Sequence, residues 1–347
     1  MPNIVTIARE AGASIATVSR VLRQRGEPKT DIQRRILEVV ARLGHPSSKD
    51  SGPTQIPGRT HQILYMSFQN VLSIECQNMS LPMIMEGMNS VLTPKGFNLL
   101  YASIDLNNTP PPSLLRKEVD GVIFHGRLNR EFYNRYLADG LPIVGISHYD
   151  PSYDCGWVTL DYGVEAYQIV SYLAGLGHRR IAYFTSEKDY VFEQLKGYRD
   201  AMELLGLPID PSWEILFQRP TVNGILPVEY EIQDYSALLE PVFKGENRPT
   251  AIFCMDNFRL KCVEASLKKL GLDVPSDVSL AGTSNSSVAI SPFYQGDIAC
   301  TFDDSFSTNA EAAQLMMRIL SGEEKRNVKI LMRPVFKEGG TVAPPRE

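Results

Sequence analysis

The stretch AGASIATVSRVLRQ, residues 11–24, carries two arginines, three small hydroxyl residues and an apolar stripe, and no acid. Its start breaks a helix: Gly12 permits the positive φ of a tight turn, and Ser14 supplies an oxygen to cap the helix that follows. Upstream, Asn3 caps a first helix with Ile4, Ile7, Ala8 and Ala11 on one face. The second helix, residues 15–23, turns Val18, Val21 and Leu22 inward and leaves Thr17, Arg20 and Arg23 outside. A third opens with a capping box, Thr30-Asp31-Ile32-Gln33. It runs on through the stripe Ile32, Ile36, Val39, Val40 and Leu43 and stops at Gly44. Two short helices joined by a glycine turn and closed by a third make a helix-turn-helix, an all-α head.

Charge separates this head from the rest. Residues 1–60 hold ten Lys+Arg and five Asp+Glu, whereas the remainder holds 25 and 35. A basic head on an acidic body is the asymmetry expected when only the head meets a polyanion. At 347 residues, 43% hydrophobic and 22% charged, the chain has a globular composition with room for two or three domains. Neither a leader-like apolar run at the start nor a stretch near the roughly 20 apolar residues of a membrane span is present, so the expectation is a cytoplasmic protein without membrane attachment. Five scattered cysteines and five dispersed histidines point to no disulfide framework, no metal and no cofactor.

In a helix-turn-helix the second helix enters the DNA major groove with its N-terminal residues toward base edges. Small Ala13, Ser14 and Ala16 allow close approach there. The Thr17 and Ser19 hydroxyls reach phosphate oxygens, and the forked donors of Arg20 suit guanine or phosphate. The run TIAREAGASIATVSRVL closely resembles the start of lactose-repressor-type (LacI/GalR) transcription regulators. The match passes through Ala11, Gly12, Ser14, Thr17, Val18, Ser19, Arg20, Val21 and Leu22. That resemblance implies that Ile15 and Ala16 occupy the two positions that vary with operator sequence. Both are apolar here, which suits thymine methyl groups. The expected DNA-facing set is Ser14, Ile15, Ala16, Thr17, Ser19, Arg20 and Arg23.

The segment GHPSSKDSGPTQIPGRTHQ, residues 44–62, is a linker by composition. Family members carry here a hinge helix that wedges a leucine into the minor groove. Only Gly44 and Pro46 match that pattern, Pro53 and Pro57 break it, and Ile56 reads as a loop residue. The domain expectation is therefore a head at 1–45, a linker at 46–61 and a body at 62–347.

From His61 onward, apolar runs alternate with helical stretches. The runs are ILYMSF, FNLLYAS, DGVIFH, PIVGIS, RIAYFT, TAIFCM, DVSLAG and IACTF; the helical stretches are 162–176, 188–205, 257–270 and 305–320. Such βα alternation implies an α/β body with parallel sheets that bind ligands at the carboxyl ends of their strands. There is no GxGxxG, GxxxxGK[ST] or GxSxG, and the adjacent pair Asp303-Asp304 is poorly placed for acid/base work, so no enzyme is expected. The resemblance continues through VDGVIFHG, LPIVGIS, VTLDYGVEAYQIVSYLAGLGHRRIAYFTS, GYRDAMELLGL, PTAIFCMDN and LGLDVPSDVSLAG. It implies a body like a periplasmic sugar-binding protein: two doubly wound parallel-sheet subdomains, 62–159 with 291–323 and 160–290 with 324–347, and an effector in the cleft.

By the same resemblance, Asp256 matches an aspartate that bonds effector hydroxyls, or it caps a helix. Tyr235 matches an aromatic that stacks on a sugar face, or it is a core tyrosine. Asp161 lies near the cleft and the subdomain junction, and Asp303 lies near an effector contact. Gln194 stands where an arginine often grips effector oxygens; losing that cation favours a neutral, sugar-like effector. The resemblance implies a repressor acting as a homodimer on a near-palindromic operator, and the tail GGTVAPPRE has no heptads for a tetramer. The alternative is a cytoplasmic small-molecule sensor that does not bind DNA.

Overall fold

The computed structural model describes residues 4–15, 17–18, 21, 30–42, 59–68, 74–105, 107–147, 149–186, 191–218, 232–284 and 297–346. The chain forms two compact units, residues 1–61 with 94–96 and residues 62–93 with 97–347.

In the first unit, helix α1 spans Ile4–Ala11 and α2 spans Asp31–Arg42. Ile15, Thr17, Val18 and Val21 are helical between them. Ile7, Ala8, Ala11, Val18, Val21, Ile36, Val39 and Val40 are buried together. Thr30 and Gln33 cap α2 reciprocally, with Gln33 Oε1 accepting from the Thr30 N–H at 3.1 Å and Thr30 Oγ1 accepting from the Gln33 N–H at 3.4 Å. The stripe on α2 is shorter than its pattern. Ile32 is 37% exposed, so the head core begins one turn later, at Ile36. Leu22 and Leu43 lie outside the described residues.

The second unit begins with β1 Gln62–Phe68, α3 Ile74–Leu92, β2 Asn98–Ile104, α4 Pro112–Leu115, β3 Gly121–His125, α5 Arg130–Tyr136, β4 Ile143–Ile146 and β5 Gly156–Leu160. It continues with α6 Tyr162–Gly175, β6 Ile181–Ser186, α7 Val191–Leu204, β7 Glu214–Phe217, α8 Ser236–Phe243, β8 Ala251–Cys254, α9 Asn257–Lys269 and β9 Ser279–Ser284. The last elements are β10 Ala299–Phe302, α10 Ser305–Ser321, β11 Lys329–Met332 and β12 Val335–Lys337. One sheet has the order β11-β5-β4-β3-β1-β2 and the other β12-β10-β9-β8-β6-β7. All pairings are parallel except β10 with β12. This is the expected pair of doubly wound parallel sheets.

The strands read as continuous apolar runs because each sheet is covered on both faces. In β1, Ile63 and Tyr65 pack toward α3 and α10, while Leu64, Met66 and Phe68 pack on the other side with Phe132 and Tyr133 of α5. In β6, Ala182 and Phe184 meet Leu239 of α8 and Leu260 of α9, and Ile181 and Tyr183 meet Ala166 of α6 and Tyr198 of α7. Helices α6 and α7 approach closely at Gly197, where a Cβ would lie 2.8 Å from the Tyr162 carbonyl oxygen and 2.9 Å from the Gly163 Cα.

The chain crosses between the sheets three times. It leaves the first sheet after β5, returns at Asp303-Asp304 between β10 and α10, and crosses again at Arg333-Pro334 between β11 and β12. The second and third crossings therefore fall later than the positions near 290 and 323 that the sequence suggested. The reason is pairing: β10 extends the second sheet beside β9, and β11 closes the first sheet beside β5. Helix α10 buries Ala312, Leu315 and Met316 against the first sheet.

Candidate DNA-reading head and effector cleft

The head is built so that one short helix starts cleanly after a turn. Gly12 has φ +64°, and the Ala13 N–H donates to the Ala8 carbonyl at 2.9 Å, which ends α1. Ser14 then caps the next helix: its Oγ accepts from the Thr17 N–H at 3.0 Å, and its carbonyl accepts from the Val18 N–H at 2.9 Å. The Ser14 and Thr17 hydroxyls share a further bond of 2.8 Å. Ile15, the first residue past the cap, is 50% exposed, although Val18 and Val21 of the same helix are buried in the head core. Ile15 is therefore an apolar group left open to solvent on the first turn of a capped helix. Ala16, Ser19, Arg20 and Arg23 lie outside the described residues.

In the body, each sheet has a switch point where the chain winds in opposite directions, and ligands bind outside the carboxyl ends of the strands there. In the second sheet this point lies between β6 and β8. Asp256 follows β8 directly and caps α9, its Oδ1 accepting from the Arg259 N–H at 2.7 Å. It is half-buried at the carboxyl end of β8 while it caps that helix. Asp161 does similar work at the first crossing, where its Oδ1 accepts from the Val164 N–H at 3.0 Å and its own N–H donates to the Met332 carbonyl at 2.9 Å. Asp303 sits at the second crossing and accepts from the Thr308 hydroxyl. Burial pushes its carboxyl up to about 6.

Two expected effector residues are placed differently. Tyr235 is 7% exposed and belongs to the core. Its ring meets Phe184 edge-on with centroids 4.9 Å apart and lies 5.1 Å from Phe217, and its hydroxyl donates to Gln233. The aromatic is spent on packing over β6 and β7, against Phe184 and Phe217. Gln194 is 5% exposed. Its Oε1 accepts from the Tyr183 hydroxyl at 2.6 Å, and its Nε2 donates to Glu165 Oε2 at 2.7 Å.

The residues that sequence reasoning missed are polar groups, buried or half-buried, at the same ends of the sheets. Glu165, on the first turn of α6, is 1% exposed, and its Oε1 accepts from the Thr301 hydroxyl at 3.1 Å. Burial raises its carboxyl to about 7. Arg259 is 3% exposed, with its guanidinium 5.0 Å from the Phe217 ring centre and 4.9 Å from that of Phe258. This cation stands three residues past Asp256. His125 ends β3 beside Ser67 of β1, and burial lowers it to about 4, so the imidazole is neutral. Each reads in sequence as a solvated helix residue or an ordinary strand end; only layering of helix on sheet reveals it. Among the described residues, no group of three His, Cys, Asp or Glu side chains could hold a metal ion.

The comparisons with known proteins match both parts. The family model for bacterial regulatory proteins of the lacI family covers residues 3–47, and that for a periplasmic binding protein-like domain covers residues 170–342. The chain belongs to the LacI family. Catabolite control protein A of Priestia megaterium is 24% identical over 330 residues, covering 92% of this chain and 93% of the relative. Among solved structures, the transcriptional regulator CelR in complex with cellobiose superposes with a TM-score of 0.61 at 20% identity, over 98% of this chain and all of that one, 100%. The lac repressor dimer bound to operator and an anti-inducer gives 0.59 at 15% identity, over 99% of each chain. The LacI-family chain is accordingly a DNA-binding transcriptional regulator, in a family of regulators rather than enzymes. No helix among its described residues is long and apolar enough to cross a membrane.

Proposed function

We propose that this LacI-family regulator is a cytoplasmic repressor that binds a near-palindromic operator as a homodimer and answers to a neutral, sugar-like effector in its cleft. The observation that supports the DNA-reading part best is the capped helix start at Ser14, with Ile15 exposed beside it. Residues 1–45 act as the head, 46–61 as the linker and the remainder as the sensing body. Ser14, Ile15, Ala16, Thr17, Ser19, Arg20 and Arg23 address DNA. A helix start offers backbone amides to phosphates, and Arg20 adds a bidentate donor.

For the effector, Asp256 and Asp303 present carboxylates at the strand ends of the second sheet, where they accept from sugar hydroxyls. Asp161 serves the junction more than the ligand, and Tyr235 and Gln194 support the site from within the core. The cellobiose complex of CelR adds weight to a sugar.

A thermal-shift panel of neutral pentoses, hexoses and disaccharides, sugar phosphates and sugar acids tests the effector class. A ligand at a hundred times its Kd stabilises the body by about 2.7 kcal/mol, a readily measured rise in Tm. A neutral sugar is expected to raise Tm, and Asp256→Asn to weaken that response at least tenfold, roughly the worth of one charged hydrogen bond. A response confined to acids and phosphates contradicts the neutral reading and assigns the grip to Arg259.

A further inference from the structure

The two subdomains meet through side chains away from the chain crossings as well as at them. Lys329 opens β11 at the edge of the first sheet, and its Nζ lies 2.8 Å from Oε1 of Glu193, in the first turn of α7 on the second sheet. The same ammonium lies 3.9 Å from the centre of the Tyr149 ring, which follows β4 of the first sheet. Ion pairs such as Arg199–Glu214 and Arg318–Glu311 stay within the layers of one sheet. The pair of Lys329 and Glu193 joins the layers of both. We propose that Lys329, bound to Glu193 and Tyr149, is an electrostatic strap that holds the subdomains in the arrangement of this structure and parts when they rotate about the crossings. This rests on reading the body as a two-subdomain cleft that opens and closes.

The lysine has a rigid seat. It stands in register with Trp157 of β5, and registered neighbours on parallel strands share a face of the sheet. Trp157 is buried and meets Phe124 edge-on, with ring centroids 5.5 Å apart. Its ring passes so close over Gly145 of β4 that a Cβ there would lie 2.5 Å from it, so core packing fixes the indole. Tyr149 leans edge-on against that indole with centroids 5.7 Å apart, and it remains exposed. A ring held in this way offers its negative face to the ammonium and steers Lys329 toward one geometry. The side chains of Lys329 and Glu193 keep 27% and 48% of their surface in solvent, so the pair is open to screening by salt. Along β11, Lys329 lies roughly 10 Å from Met332, which directly precedes the third crossing at Arg333-Pro334. A contact displaced that far from the pivot changes length when the subdomains rotate.

The test needs neither effector nor DNA. Spin labels on Glu131→Cys and Glu203→Cys, exposed positions on α5 of the first subdomain and α7 of the second, report the distance between subdomains in the full chain. Cys76→Ser confines labelling, since Cys155, Cys254, Cys262 and Cys300 are buried. At low salt one distance should dominate. Lys329→Gln should raise the share of a second distance roughly fivefold and Glu193→Gln about threefold, as expected of a half-exposed ion pair with a ring contact. The double variant should do no more than Lys329→Gln alone, and Lys329→Arg should restore the dominant distance. Tyr149→Leu should raise the second distance about twofold. Salt at about 1 M, where screening reaches about 3 Å, should move the intact chain toward the Lys329→Gln distribution and leave that variant unaltered. A distribution that Lys329→Gln leaves unmoved, or effects of the two glutamine variants that add in the double variant, overturns the proposal. Failure to bind any operator would contradict the regulator reading and leave these results untouched.

Discussion

The head and the body are stabilised on different scales. The described core of the head is eight small or medium side chains, none of them aromatic. Each sheet of the body is sandwiched between two such clusters, and these bury Tyr65, Phe124, Tyr183, Phe253 and other large groups. The charges differ as well, a basic head against an acidic body. A fold this small has little stability to spare. The body, with its larger clusters, accommodates the buried carboxyl of Glu165 between two hydrogen-bond donors.

Equal deletions in the two regions sharpen this contrast. Ile36→Ala and Leu260→Ala each remove a wholly buried aliphatic group and each costs about 2–5 kcal/mol. In the head that cost is comparable to the total, so Ile36→Ala is expected to unfold the head while the calorimetric transition of the body stays in place. Leu260→Ala is expected to lower the body transition by several degrees and leave it cooperative. A head that stays folded in Ile36→Ala, judged by head amide resonances, would break the contrast. A smaller effect comes from Ser14→Ala. Losing this cap costs about 1 kcal/mol, read as a lower head melting temperature and faster exchange of the Thr17 amide. If exchange there is unaltered, Ser14 is not the cap.

The parts legible in sequence were those governed by local chemistry. Gly12, Ser14 and the Thr30–Gln33 box stand where their turn and capping preferences put them. The helices at 162, 257 and 305 begin as read, each capped by the aspartate before it. The strands with long apolar runs, such as β1 and β6, were equally plain. Strands β7, β11 and β12 escaped because they are only three or four residues long and stand at or next to sheet edges, where burial is incomplete. Helix α3 escaped because Pro82 interrupts its pattern.

Asp256 and Asp303, singled out in the sequence, do stand just past strand ends. The bond between Glu165 and Gln194 was not legible, since nothing on one helix discloses that a carboxyl and an amide will meet across a helix pair packed on Gly197. Tyr235 shows the converse. An aromatic before a helix reads as a ligand platform until its neighbours Phe184 and Phe217 are seen.

The central claim is that the head reads DNA through the helix beginning at Ser14. Fluorescence anisotropy on operator selected from random duplexes, with a scrambled duplex for comparison and salt varied, measures this directly. The intact chain should prefer the selected sequence by at least roughly a thousandfold and weaken steeply with salt. Arg20→Ala should erase most of that preference and leave the thermal-shift response of the body to its effector unaltered. Equal affinity for both duplexes in the intact chain, or full preference retained in Arg20→Ala, would contradict the account.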